Sequence, residues 1–156
     1  MKSHFAIALI LAFMLASPCS GAAAEGSAME GAQMSKVQML SIAEKQFDIA
    51  KLLIKEGQFD RVLPEMRKIL DLNLPGEYEQ LVAQSAGYIS VLLAENKQYA
   101  LGHELLDETI NKMRLADNIA ALLKIKAGLY KSEGKINKAI ETLRRAVEIE
   151  EQQTQP

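Results

Sequence analysis

A helix breaker recurs in this chain at a nearly fixed interval. Gly57 sits in Lys55-Glu56-Gly57-Gln58, Asn96 in Glu95-Asn96-Lys97 and Gly134 in Glu133-Gly134-Lys135, 39 and 38 residues apart. Gly and Asn accept the left-handed backbone that closes a helix. Between the first two stands a stronger turn, Asn73-Leu74-Pro75-Gly76, and Asp117 follows Leu115 as a helix N-cap. From Met34 onward the chain is built of Ala, Leu, Glu, Lys and Gln, all good helix formers. Alternating β-branched and aromatic runs do not occur. The marks predict six helices, over about 34–56, 59–72, 77–95, 98–115, 118–133 and 136–151. The expected fold is all-α. A fixed period of this size implies three antiparallel helical hairpins stacked into a solenoid. A plain helical bundle with the same breakers is the alternative.

Small and large residues recur in step with the breakers. Ala50 and Leu53 precede the first turn, and Phe59, Val62, Met66 and Ile69 follow it. The middle unit offers Ser90 and Leu93, then Tyr99, Gly102, Leu106 and Thr109. The third offers Ala127 and Tyr130, then Ile136, Ala139, Leu143 and Ala146. Two antiparallel helices approach closely only where side chains are small, and bulky neighbours then fill the grooves beside the contact. Pro64 lies near the start of the second helix, where Pro is tolerated.

The third unit, Ala127-Gly128-Leu129-Tyr130-Lys131-Ser132-Glu133-Gly134-Lys135-Ile136-Asn137-Lys138-Ala139-Ile140-Glu141-Thr142-Leu143-Arg144-Arg145-Ala146-Val147-Glu148-Ile149, resembles the tetratricopeptide repeat (TPR) family. It has that family's small residue, Tyr, Gly, Ala and second Ala at the expected spacing. The first unit matches through Ala50, Gly57, Phe59 and a closing Pro75; the second matches weakly, with one extra residue between Asn96 and Tyr99. The third unit lacks the closing Pro, and the chain has no Trp. The resemblance implies a right-handed solenoid in which the first helix of each hairpin lines a concave, peptide-holding groove. That face would carry Glu44, Phe47, Lys51, Ile54 and Lys55 in the first unit. It would carry Gln84, Gly87, Val91 and Ala94 in the second, and Lys124, Gly128 and Lys131 in the third. Lys124 and Lys131 are seven residues apart and fall in line on one helix face. Gly128, between them, bares the backbone. Some family members grip a C-terminal carboxylate with a Lys/Asn/Arg clamp. Phe47 and Gly87 stand at groove positions here, so that clamp is not expected.

Lys126, Lys135, Lys138, Arg144 and Arg145 extend the basic character of the third unit. The last helix carries one apolar stripe, Ile136, Ala139, Ile140, Leu143, Ala146 and Val147, opposite charged residues. One stripe suffices to dock on the preceding helices, so this helix is expected to cap the array. A polar tail, 152–156, follows.

Composition narrows the chemistry. The formal charge is −2, from 18 basic and 20 acidic residues. A general nucleic-acid binder would show a basic excess, so no nucleic-acid partner is expected. One Cys and two His leave no Cys/His-rich zinc site. His103, with Glu104, Asp107 and Glu108 nearby, could in principle form a metal or proton-transfer site. The plainer reading is a surface histidine on an acidic, solvated face. Met29, Met34 and Met39 recur every five residues, which on a helix puts them on different faces and disfavours a Cu(I) site. No Gly-rich phosphate loop, HExxH or GxSxG motif is present. No enzyme activity, no cofactor and no metal are expected.

The chain opens Met1-Lys2-Ser3-His4, then an apolar run from Phe5 to Ala16, then Ser17-Pro18-Cys19-Ser20-Gly21-Ala22-Ala23-Ala24. A positive start, a short apolar run and an A-x-A site describe a secretory signal peptide, 1–24, cut between Ala24 and Glu25. An uncleaved anchor, or a lipid on Cys19, is the alternative, although Pro18 is an unusual residue before a lipidated Cys. Residues 25–33 read as a flexible leader and 34–151 as the helical domain. The expected location is the periplasm of a Gram-negative bacterium. Once the signal is removed, no membrane span is expected.

The expected function is that of a non-enzymatic scaffold of the cell envelope. It would bind a protein partner in the groove, as a monomer or weak homo-oligomer. A self-associating structural subunit and a small-molecule or metal-binding helical bundle are the alternatives.

Overall fold

In the computed structural model, residues 34–154 are described. The signal segment 1–24 with Cys19, the leader 25–33 with Met29, and residues 155–156 lie outside the described residues. Among the described residues all regular structure is helical and no strand forms. Six α-helices are present: α1 (Lys36–Lys55), α2 (Val62–Asp71), α3 (Glu79–Glu95), α4 (Tyr99–Lys112), α5 (Ala116–Ser132) and α6 (Ile136–Thr154). No described helix is long and apolar enough to cross a membrane.

Local chemistry sets the helix bounds. Ser35 starts α1 with a reciprocal cap: its Oγ accepts from the Gln38 N–H at 3.2 Å, and Gln38 Oε1 accepts from the Ser35 N–H at 2.9 Å. The second helix begins as a 3-10 turn, Phe59–Arg61, and becomes α-helical only at Val62. Pro64 explains the delay, because its ring opposes the carbonyl four residues earlier and it offers no N–H to it. The tail expected at 152–156 is helical through Thr154. Glutamines sustain a helix, and no breaker precedes Pro156.

Two bounds were not local. The fourth helix ends at Lys112 rather than near 115, and α5 starts at Ala116, so Asp117 lies in its first turn and not at its N-cap. The cause is Glu79 on α3. Its Oε1 accepts from the backbone N–H groups of Arg114 at 2.9 Å and Leu115 at 2.7 Å, and from Asn118 Nδ2 at 3.1 Å. A buried carboxylate from another hairpin thus holds the connection between α4 and α5 in place.

The helices pair as α1 with α2, α3 with α4, and α5 with α6. Between hairpins, α5 packs on both α4 and α3, α1 packs on α3, α2 on α4, and α2 touches α3. Each hairpin turn has the same closure. Gly57, Lys97 and Gly134 take left-handed φ values of 72°, 64° and 76°. In each, that residue donates to a carbonyl three residues back. The next donates five back: Gln58 to Leu53, Gln98 to Leu93 and Lys135 to Tyr130, each at 2.8 Å. The residue that closes the middle turn is therefore Lys97, not Asn96. The true intervals are 40 and 37 residues, and the second unit has no extra loop residue. Asn96 instead sits one position earlier, its side chain donating to the Leu92 carbonyl at 2.8 Å.

With this register the in-step positions become equivalent sites. Ala50, Ser90 and Ala127 are all buried at the hairpin crossings. Gly102 is needed at its crossing: a Cβ there would lie 3.0 Å from the Ser90 carbonyl oxygen and 2.9 Å from Leu129 Cδ2. Met66 and Leu106 are equivalent and fully buried, but their third-unit counterpart Leu143 is 44% exposed. The expectation that α6 caps the array therefore fails. Only Ala139 and Ala146 of its stripe are buried, while Ile136, Ile140, Leu143 and Val147 face outward.

Candidate binding groove

The first helices of the three hairpins, α1, α3 and α5, present a common face. The shared turn geometry aligns Phe47 with Gly87 and Lys124, Lys51 with Val91 and Gly128, and Ile54 with Ala94 and Lys131. These residues therefore form ranks across the three helices.

The open part of this face lies between α3 and α5. A shallow groove of about 620 Å³ is lined by Val91, Ala94, Ile125, Gly128 and Leu129, with Tyr99 at one end. Lys97, Glu95 and Ser132 form its polar rim. Val91 is 39% exposed. The two glycines of this face serve different purposes. A Cβ at Gly87 would sit 2.5 Å from Ile125 Cδ1, so Gly87 makes room for the Ile125 side chain of α5. A Cβ at Gly128 would meet nothing within 4 Å. No packing in the fold explains Gly128; it leaves backbone bare toward the groove.

On α1 the face is aromatic and cationic. The Phe47 ring lies 5.9 Å from that of Tyr88, tilted by 55°. Lys51 Nζ stands 4.7 Å from the Phe47 centroid and pairs with Asp48 at 2.6 Å. A cation over a ring at this distance is weakly held while exposed. Lys55 is exposed at the end of α1. Ile54 is not a groove residue: it is 6% exposed and sits in the core with Leu53, Val62 and Met66. Its equivalents Ala94 and Lys131 are more open, because α1 turns this rank further inward than α3 or α5 does.

Tyr88 and Leu81 are exposed on α3, at 46% and 43%, and sequence reasoning missed both. The available signal for Tyr88 was its place four residues after Gln84 and one turn before Val91.

The basic cluster does not form a single patch. Lys124 pairs with Glu150 of α6 at 2.5 Å. Lys126 pairs with Asp107, and Lys135 with Glu133. Lys138 lies 5.7 Å from the Tyr130 centroid. Lys131 is exposed, with no ion pair to another described residue.

The acidic set around His103 is likewise dispersed. Arg67 of α2 takes Glu108 with both fork nitrogens and reaches Glu104 at 2.7 Å, and the Glu108 hydrogen bond raises its pKa. Its guanidinium holds Glu108 below the ordinary carboxylate value. His103 is not a surface histidine, as its side chain is only 14% exposed. It stacks on Tyr130 at 4.1 Å, and its Nε2 lies 2.5 Å from Glu133 Oε1. Burial pushes Glu133 up, but hydrogen bonds from Lys135 and His103 outweigh it and leave the carboxyl below its ordinary value. Among the described residues, no three His, Cys, Asp or Glu side chains converge as a metal site would require.

Comparison with known proteins found no matching family model, no similar curated protein and no similar solved structure.

Proposed function

We propose that this chain is a non-enzymatic interaction module of the bacterial cell envelope. In this reading its hairpins form a right-handed, TPR-like solenoid that holds a segment of a partner protein along α1, α3 and α5. Gly128 carries the reading. A mid-helix glycine costs about 1 kcal/mol relative to Ala, and here no neighbour within 4 Å requires it. A backbone approach by a ligand does require it, and Val91 and Tyr99 supply apolar walls beside it. Half-buried Phe47 and exposed Tyr88 extend the apolar surface toward α1, with Lys51 and Lys131 positioned for carboxylates on the same segment. Each hairpin contacts the next along the chain, α3 and α4 both packing on α5, and α1 and α2 on α3, which is compatible with a stacked array. The A-x-A segment ending at Ala24 supports export.

The test is photo-crosslinking in cells from position 91, with fractionation to locate the protein. An adduct with one protein, lost in a Gly128→Leu variant that remains folded, is the expected result. A cytoplasmic location would remove the envelope part of the reading. An adduct that survives Gly128→Leu, or no adduct at all, would remove the groove.

A further inference from the structure

The exposed face of α6 occupies sites that are buried or half-buried in the first two hairpins. In the shared register, Ile136 matches Phe59 and Tyr99, Ile140 matches Leu63 and His103, Leu143 matches Met66 and Leu106, and Val147 matches Leu70 and Ile110. In the first two hairpins these side chains lie under the following hairpin: Leu63 is 4% exposed, Met66 1%, Leu106 0%, Leu70 7% and Ile110 9%. On α6 the same sites are 51%, 45%, 44% and 47% exposed. Their spacing of four, three and four residues makes a continuous helical seam of the kind that packs against another helix. Such a face, shaped for a helix and left uncovered, marks an interaction surface.

We propose that a second copy of this chain covers this seam, with the two α6 helices antiparallel about a two-fold axis between Ile140 and Leu143. The seam is self-complementary in that arrangement. Ile136 meets the partner's Val147, and Ile140 meets the partner's Leu143, so every exposed residue finds a large apolar counterpart. The flanking charges fit as well. Arg144 comes beside the partner's Glu141, and both are exposed.

Head-to-tail stacking on α1 fits poorly by the same register. Lys45 of α1 stands where Ser85 and Leu122 pack inward, and Leu122 is 1% exposed. Burying an unpaired lysine there is costly. Within the chain Arg67 pairs with Glu108 across a hairpin boundary. The equivalent pair in a head-to-tail contact would be Arg144 against the partner's Lys68, which repel. The N-terminal face thus carries its own block, and the α6 face carries none. The association stands independently of the groove reading.

The experiment is sedimentation velocity and light scattering of the purified protein from about 1 to about 100 µM, because four seam residues per copy place the interface at the small end. The expected result is a monomer–dimer equilibrium in the micromolar range, abolished by Leu143→Glu and unaffected by Leu52→Glu on α1. Arg144→Glu should weaken the dimer about tenfold, and adding Glu141→Arg should restore it; neither residue is buried, so this pair keeps the test open if Leu143→Glu folds poorly. A protein that is monomeric throughout overturns the proposal. So does a dimer that survives Leu143→Glu, or one lost equally with Leu52→Glu. Crosslinking of position 143 to a different protein, without a dimer, overturns it as well.

Discussion

Glu79 is the side chain whose removal should cost the fold most for its size. It is 8% exposed and accepts from two backbone N–H groups and one amide through a single oxygen. Glu79→Ala would leave the Arg114 and Leu115 donors and Asn118 Nδ2 without a partner in a partly closed site. A hydrogen bond to a charged acceptor contributes about 1.5–3 kcal/mol. Three that share one oxygen do not add fully, so the loss should be about 3 kcal/mol. Glu79→Gln keeps an acceptor but not the charge and should cost about 1 kcal/mol. The pH dependence follows from the same contacts. Burial raises the Glu79 pKa, but the Leu115 N–H, Asn118 and the Arg114 N–H together bring it below its ordinary 4.5. A carboxyl depressed on folding adds stability that is fully present above its unfolded value and is lost as pH falls through the folded one. Glu79 therefore stabilises the protein at neutral pH and ceases to do so in acid, below about pH 4.5. Urea unfolding followed by circular dichroism, at neutral pH and below pH 4, reads both effects. Glu79→Gln should narrow the difference between the two conditions, although Glu108 and Glu133, also depressed, keep part of it. A Glu79→Ala protein within about 0.5 kcal/mol of wild type would refute the reasoning, since surface substitutions lie in that range.

The glycine and turn positions give opposite signs in one assay. Lys97→Gly should stabilise by about 1 kcal/mol, because Lys97 holds a φ of 64° that only glycine adopts freely; Gly134→Ala should destabilise by a similar amount, read as melting-temperature shifts of opposite direction. Gly128→Ala should stabilise by up to about 1 kcal/mol from helix propensity alone, since its Cβ enters open space. Gly102→Ala should destabilise despite the same propensity gain, as its Cβ meets the Ser90 carbonyl oxygen at 3.0 Å, and a net stabilisation would show that α3 and α4 are not packed as described. His103→Ala should destabilise by about 2 kcal/mol by unstacking Tyr130 and leaving Glu133 with Lys135 as its remaining side-chain partner, and chemical denaturation checks it.

Most of the fold was legible because its marks are local. Gly57, Gly134 and the Asn73–Gly76 turn break helices in sequence and in space alike, and the small residues Ala50, Ser90 and Ala127 sit at the crossings where their size predicts. Lys97 was hidden because a lysine in left-handed backbone leaves no compositional trace; the hydrogen-bond pattern, which three turns share, reveals it. The early end of α4 was hidden for a different reason. Its cause, Glu79, lies 35 residues away from Arg114, and no window along the chain contains both. Of the groove, the TPR resemblance implied Val91, Gly128 and Ile54 alike. Val91 and Gly128 lie along the hollow between α3 and α5, whereas Ile54 is covered, because a repeat pattern fixes the face a residue lies on but not how far the next helix covers it.

That distinction governs how the three hairpins differ in use. One position, read across units, is Phe47, Gly87 and Lys124. Its side chain goes from a ring tilted against Tyr88, to none, to a cation tied to Glu150. Where the side chain vanishes, the Ile125 Cδ1 methyl fills the place, 2.5 Å from the missing Cβ. One rank further, Gly128 removes the side chain again, but there nothing moves in. The first glycine makes room for the Ile125 methyl between the helices, and the second keeps the space beside them open. Gly87→Ala requires only that Ile125 turn, and the helix-propensity gain of about 1 kcal/mol offsets that cost, so its unfolding midpoint should stay close to wild type. Gly128→Leu should block the groove with the helices left in place, and a binding loss from Gly87→Ala as large as that from Gly128→Leu would contradict this division of roles.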